Sequence, residues 1–350
     1  MLGWISESRQ ESQCAVHEQE GTAHRDDVRI RILTSRPRLL VICLLIAACS
    51  SDRNPSPTKE GRPQQEIVLP GSPILIGAGD IAVCGTPGDE ATGALVDSLL
   101  RADSASGVQS VVATFGDNAY PSGQQGVTDD FPRCFTPSWG RPRIMNVIHT
   151  APGNHDYDSG SGDPYFAYFG DRAGPAGKGY YSYDVGGWHI ISLNSELYFE
   201  NDDPAKIKAQ EDWLERDLQQ HKTRCALAYF HRPLFSSGVY GATAQLRQVW
   251  DLLFADGVDL VLNGHEHAYE RFLPQTPDGT RDSVRGVVEI ISGTGGGDLR
   301  RFRYPLARNS AAQIQGHFGV LKVSLGDGEY AHSFIDTSGM IWDTGRGRCH

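Results

Sequence analysis

The chain has 350 residues and a formal net charge of −11. It is long enough to bury a sizeable core, and it lacks the basic footprint expected of a general nucleic-acid binder. An anionic substrate stays compatible with that charge, because bound metal cations invert the local potential.

The N-terminus separates from the fold first. Arg36 and Arg38 precede ten apolar residues, 39–48, LLVICLLIAA, and Cys49 follows at once. Such a run is too short to cross a bilayer as a helix and suits the apolar region of a signal peptide. Ile46-Ala47-Ala48-Cys49 resembles a bacterial lipobox, whose cysteine is lipidated after cleavage. The expected product is therefore exported and anchored to a membrane through Cys49, or else secreted. Residues 28–48 read as the signal peptide, and 1–27 as an upstream extension, with the true start near Val28. From Cys49 to residue 72 the chain is polar and Pro-rich, a tether ahead of one domain over 73–350.

Four cysteines remain in the exported part: Cys84, Cys134, Cys225 and Cys349. They allow three pairings, and an oxidising compartment favours using them. Cys84 and Cys134 each follow a loop with metal-binding residue types, which pairs them. Cys225 is then left for Cys349, where it pins the C-terminal tail.

From Pro73 onward, short apolar runs alternate with helical patterns. ILIGAG, SVVATFG, MNVIHTAPG, WHIISLNS, CALAYFH, VDLVLNGH and VVEIISGTGGG predict buried strands that end in loops. Residues 89–101, 205–220 and 242–256 have helical spacing. Strand–helix alternation predicts an α/β layered domain, with ligands beyond the carboxyl ends of the strands.

Those ends carry Asp80 in GAGDIA, Asp117 and Tyr120 in FGDNAY, Asn154 and His155 in PGNHDY, His231 in YFHRP, and His265 and His267 in NGHEHAYER. Each has an ordinary alternative, since Gly-Asp and Asn-His-Asp are also turn vocabulary. Together they offer carboxylates, an amide oxygen, imidazoles and a phenol at one sheet edge. That mixed N/O set suits zinc, manganese or iron. The glycines of GTGGG, 293–297, lack the GxGxxG pattern of a dinucleotide fingerprint. His149, His189, His221, His317 and His332 lie outside these motifs and read as structural, and Ser236 and Ser237 have no evident base.

The ordered set GD, GDxxY, GNHD, a strand-end His and GHxH resembles the calcineurin-like metallophosphoesterase superfamily over residues 73–336. Where the wider superfamily has Asp-x-His, this chain has Asp80-Ile81-Ala82. The GDxxY tyrosine and GHEHAYER make it similar to the purple acid phosphatase subgroup. That resemblance implies a four-layer αββα sandwich of two facing mixed sheets. Plant members also carry an N-terminal β-sandwich domain, and the stretch from Cys49 to Pro73 is expected to be too short for one. The resemblance also implies two metals. Asp80, Asp117, Tyr120 and His267 would hold the first, ferric iron in the family. Asp117 would bridge to the second, zinc, iron or manganese, held also by Asn154, His231 and His265. The implied reaction is hydrolysis of phosphate monoesters by a hydroxide bridging the metals, with His155 protonating the leaving oxygen. Asp156 reads equally as a carboxylate that orients His155 or as an exposed loop carboxylate.

Substrate contacts depart from the family pattern. One or two histidines expected about ten residues past His231 are replaced by Tyr240 and Gly241. Asn154, His155, Arg232 and Tyr240 are the candidate contacts. A phosphodiesterase on the same site, or a surface lipoprotein that binds metal without turnover, are the alternative readings.

Overall fold

The seven apolar runs fold as strands because their residues can be buried on both faces of a sheet. In the computed structural model, which describes residues 63–120, 130–199 and 203–350, they form two parallel sets. β1 (Ile74–Ala78), β2 (Ser110–Phe115) and β3 (Ile148–Ala151) are one set. β5 (Trp188–Ser192), β6 (Cys225–Tyr229), β7 (Leu260–Asn263) and β9 (Val288–Ser292) are the other. The sequence reading did not anticipate the remaining strands, which are antiparallel and close both sheets. β11 (Gly319–Leu325), β12 (Glu329–Asp336) and β13 (Ile341–Arg348) extend the first sheet, in the order β13-β12-β11-β1-β2-β3. β4 (Tyr181–Val185), β8 (Tyr269–Phe272) and β10 (Ser310–Ile314) complete the second, ordered β10-β8-β9-β7-β6-β5-β4.

Strand alternation sorts the apolar side chains into three cores. Leu75 of β1 and Leu227 and Tyr229 of β6 point into the core between the sheets, with Trp188, Leu260, Ile290, Leu321 and Phe334. Ile74, Ile76 and Ala78 face outward onto α1 (Gly88–Ala105), where they meet Val96 and Leu100. The short helices α2 (Thr136–Ser138), α3 (Pro142–Met145) and α4 (Asp163–Phe169) follow, and Ile144 and Phe169 join this core. Ala228 and Val261 face the other way, onto Leu214 and Leu218 of α5 (Pro204–Gln220) and Trp250 and Leu253 of α6 (Arg247–Asp256). The result is the four-layer αββα sandwich with two mixed sheets.

Local sequence explains the helix limits. The Asp203 carboxylate accepts the Ala205 N–H at 3.0 Å and Pro204 opens α5. Gly257, at φ 82°, ends α6 in the left-handed conformation. Disulfides join Cys84 to Cys134 and Cys225 to Cys349. The upstream extension, the signal segment and Cys49 lie outside the described residues. The end of the expected tether is not free of the domain: Gln64 N–H donates to the Ile341 carbonyl at 2.7 Å, and Glu66 pairs with Lys322 at 3.0 Å. Polar composition concealed this, because the contact is made largely by backbone and charge.

Gly77 lies in β1 where a Cβ would meet the Ala113 carbonyl oxygen at 2.4 Å and the Phe115 ring at 2.6 Å. Gly77→Ala should lower unfolding stability by about 1–3 kcal/mol. Gly187→Ala, where nothing lies within 4 Å, should stay within about 0.5 kcal/mol of the parent in denaturant titration.

Candidate metal centre

Every motif residue follows the carboxyl end of a parallel strand, so the fold delivers them to one edge of the sandwich. The β1–β2 pairing continues irregularly beyond both strands: the N–H groups of Asp80, Ile81 and Ala82 donate to the carbonyls of Gly116, Asp117 and Asn118. Tyr120 N–H then donates back to the Ala82 carbonyl at 2.9 Å. This register sets Tyr120 beside Ala82, which is buried. Three of the candidate ligands, Asp80, Asp117 and His265, have positive φ of 60°, 51° and 69°. Non-glycine residues rarely adopt that conformation, and its cost persists only where the surroundings enforce it.

Two donor clusters result. In the first, Tyr120 OH donates to Asp80 Oδ1 at 2.8 Å and lies 3.1 Å from His267 Nε2, itself 3.2 Å from Asp80 Oδ1. In the second, His231 Nε2 lies 3.2 Å from Asn154 Oδ1, 3.2 Å from His265 Nδ1 and 3.3 Å from Asp117 Oδ2. Donor atoms of Asp80, Asp117 and His231 lie within 4.8 Å of one another, so the clusters adjoin across Asp117.

The chemistry of these donors fits metal ions. His231 Nδ1 is 2.9 Å from the Phe115 carbonyl and His267 Nδ1 is 2.6 Å from that of Asp298. A carbonyl only accepts, so each Nδ1 carries a proton and Nε2 is the nitrogen left to coordinate. Asp80 Oδ2 accepts His265 N–H at 2.7 Å, and Asp117 Oδ1 accepts His155 N–H at 2.8 Å. One oxygen of each carboxylate is thus engaged by backbone while the other faces its cluster. The residues fit a pair of cations, with Asp80, Tyr120 and His267 on one side, Asn154, His231 and His265 on the other, and Asp117 between.

Electrostatics without metal point the same way. Burial works against charge on His231, but the carboxylate of Asp117 outweighs it and keeps the ring protonated beyond the usual range. Burial, then the charges of Asp80 and Asp117, push the Tyr120 phenol well above its ordinary value. His265 is driven the other way, by burial and by the charges of His231 and Arg232. Anionic oxygens are buried here beside protons that a metal would displace.

The surroundings correct the sequence reading in several places. Asp156 does not orient His155. It is buried and accepts N–H groups of Gly153 at 2.8 Å and Asn118 at 3.1 Å, which clamps the GDN and GNHD loops together. Burial and the Asp117 charge push its carboxyl up to about 7. The partner of His155 is Asp158, whose Oδ2 lies 2.7 Å from Nδ1, and the His155 ring packs against Tyr120 at 4.6 Å. Arg232 has its guanidinium held in place beside the second cluster. Its Nε donates to buried Glu196 at 2.8 Å, its guanidinium covers Phe199, and one nitrogen lies 3.2 Å from His265 Nε2. Tyr240 stacks on His265 at 4.5 Å. Its loop is held by Glu266, which accepts N–H groups of Tyr240 and Gly241 at 2.8 and 2.7 Å.

Asp158, Glu196 and Glu266 are the residues that motif reading missed. Only Glu266, inside GHEH, had a sequence signal. The glycines of 293–297 support the Asp80 loop: Gly295 N–H donates to Gly79 and Gly297 N–H to the Asp80 carbonyl. Ser236 and Ser237 hydroxyls donate to Glu266 and Glu270. His189, Asp217 and His221 form another cluster of ligand types. Both His189 ring nitrogens are already engaged, by Asp184 and Asp217 at 2.8 Å each.

A family profile described as calcineurin-like phosphoesterase matches residues 75–269. The human protein named acid phosphatase type 7 is 31% identical over 266 residues, 67% of this chain and 59% of its own length. Purple acid phosphatase 21 of Arabidopsis thaliana is 28% identical over 236 residues, 62% of this chain and 51% of its own. The chain thus spans roughly half to three fifths of the length of these curated relatives. Among solved structures, a purple acid phosphatase from yellow lupin seeds superposes with a TM-score of 0.63 at 19% identity, over 81% of this chain and 54% of its own. The inner membrane complex anchor GAP50 of Plasmodium gives 0.62 at 14% identity, over 80% and 89%. Both show the same fold.

Because His231 and Tyr120 hold protons that coordination must expel, metal uptake should release protons at pH 7. Apparent affinity should rise about tenfold per pH unit for each proton lost. Calorimetric titration of metal-free protein in buffers of different ionisation enthalpy measures this, and uptake without proton release would contradict the assignment.

Proposed function

The chain belongs to the calcineurin-like phosphoesterase family, and from that premise we propose that it hydrolyses phosphate monoesters at a two-metal centre. The observation that carries this reading is the complete pair of donor clusters sharing Asp117. We assign Fe(III) to the Tyr120 cluster, because a hard ferric ion favours phenolate and carboxylate oxygen, and zinc, iron or manganese to the other. When bound, the two ions supply positive charge to the phosphate oxygens and lower the pKa of water at the reacting phosphorus.

The chain's own residues do the rest. Arg232, steadied by Glu196 beside His265, offers a fixed cation to a non-bridging phosphate oxygen. His155 has Asp158 on Nδ1, which leaves Nε2 to hand a proton to the departing alkoxide. Its backbone N–H meanwhile holds Asp117 in place. Asn154 has its side-chain oxygen beside His231 Nε2, where it serves the second ion as a neutral ligand. Asp156 contributes through the fold, by fixing the loops that carry Asn118, Gly153 and His155.

We also read the chain as exported and lipid-anchored through Cys49. The apolar run before that cysteine and the two disulfides of the domain support this. Among the described residues no helix is long and apolar enough to cross a membrane.

Purified protein should cleave 4-nitrophenyl phosphate faster than bis(4-nitrophenyl) phosphate, and Asp117→Ala should reduce turnover by at least about a thousandfold. Undiminished turnover in that variant would overturn the two-metal reading, and diester preference would move the substrate class. His155→Ala should lower kcat about 10²- to 10⁴-fold with metal content unchanged. Aerobically purified protein should show a visible tyrosinate-to-iron band that Tyr120→Phe removes. Two bound metals without that band would remove iron from the assignment.

A further inference from the structure

Beyond the GTGGG loop, residues 298–309 (DLRRFRYPLARN) carry four arginines, Arg300, Arg301, Arg303 and Arg308, against one aspartate, in a chain of net charge −11. The fold ties this arm to the candidate centre. Arg300 N–H donates to the His267 carbonyl at 2.9 Å, Asp298 O accepts from His267 Nδ1, and Arg303 N–H donates to Ser237 O at 2.8 Å. The Arg300 guanidinium lies 4.7 Å from the centre of the Tyr240 ring, which in turn stacks on His265. Imidazole, phenol and guanidinium therefore form one stack that ends at the open side of the site.

None of the four arginines forms an ion pair among the described residues, whereas Arg232 is paired with Glu196 through Nε. Arg301, Arg303 and Arg308 are exposed and Arg300 is half-buried. Arginine is suited to bidentate recognition of phosphate, and unpaired cations held at a site rim steer anionic ligands toward it. A neutral leaving group gives these cations nothing to bind. The scissile phosphate itself is served by Arg232 and the metal cluster.

We propose that the arm selects phosphate esters whose leaving group carries further phosphate, with Arg300, braced by Tyr240, as its innermost contact. This rests on the phosphoesterase reading above and names the substrate class for that site. The other three arginines extend the same recognition outward along the loop.

The test compares fructose 6-phosphate with fructose 1,6-bisphosphate as substrates. A second readout needs no turnover: calorimetric binding of myo-inositol hexasulfate against inorganic sulfate. At low ionic strength the parent protein should favour the bisphosphate by about tenfold in kcat/KM, and added salt should erode that preference. The double variant R300A/R303A should lose the preference and bind hexasulfate about tenfold more weakly, with turnover of fructose 6-phosphate nearly unchanged. The charge-conserving R300K/R303K should retain most of both. Equal losses on the two sugar phosphates, or a parent protein with no preference, would overturn the proposal while leaving the phosphoesterase reading intact. Absence of turnover on both, with hexasulfate binding still weakened in R300A/R303A, would support the arm and defeat the hydrolase reading instead.

Discussion

Several hydrogen bonds join the two sheets at the place where the chemistry is assembled, and one of them sets both clusters. The His265 N–H, just past β7 of the second sheet, donates to Asp80 Oδ2, just past β1 of the first. The bond requires the strand ends to touch. A Cβ on Gly264 would lie 3.2 Å from Gly79 Cα and 2.7 Å from Asp80 Oδ2, so only glycine admits the approach. It also requires left-handed backbone at both Asp80 and His265. Once it forms, Asp80 Oδ1 is turned toward Tyr120 and His267, and the His265 ring toward His231. The cores on either side of each sheet supply the rigidity that holds two strained turns in contact.

That rigidity creates an electrostatic problem which the protein by itself solves poorly. Asp80, Asp117 and His231 are essentially without solvent exposure, and burying such charges is costly unless each is paired. The Asp117–His231 pair and the Tyr120–Asp80 hydrogen bond offset part of that cost. Cations would offset more, because they meet the carboxylates and the ring nitrogens at once. Cations bound there would couple to folding through the same few atoms.

Much of this was legible in the sequence, for a definite reason. Parallel strands buried on both faces leave continuous apolar runs, so β1, β2, β3, β5, β6, β7 and β9 announced themselves, and their ends carried the motif residues. The antiparallel strands β10 and β13 are more polar and half-exposed, and they gave no comparable signal. The absence of a histidine at Ala82 drew attention to Tyr120, and the structure sets the two on adjacent strand extensions joined by backbone hydrogen bonds. Partners selected by tertiary approach escaped. Glu196 reaches Arg232 from 36 residues away, and Arg300 reaches Tyr240 from another loop. Asp156 was expected beside the His155 ring because it adjoins that residue in sequence, whereas Asp158 takes that place. Only the short 3₁₀ turn over His155–Tyr157 decides that one faces inward to the backbone and the other outward to the ring.

The most direct test of the account is a diffraction experiment on crystals of the purified protein, with anomalous difference maps collected across the absorption edges of iron, zinc and manganese. The account predicts two peaks about 3.5–4 Å apart. One should lie among Asp80, Tyr120 and His267, the other among Asn154, His231 and His265, with Asp117 touching both. A single peak, or two peaks that do not share Asp117, would contradict it.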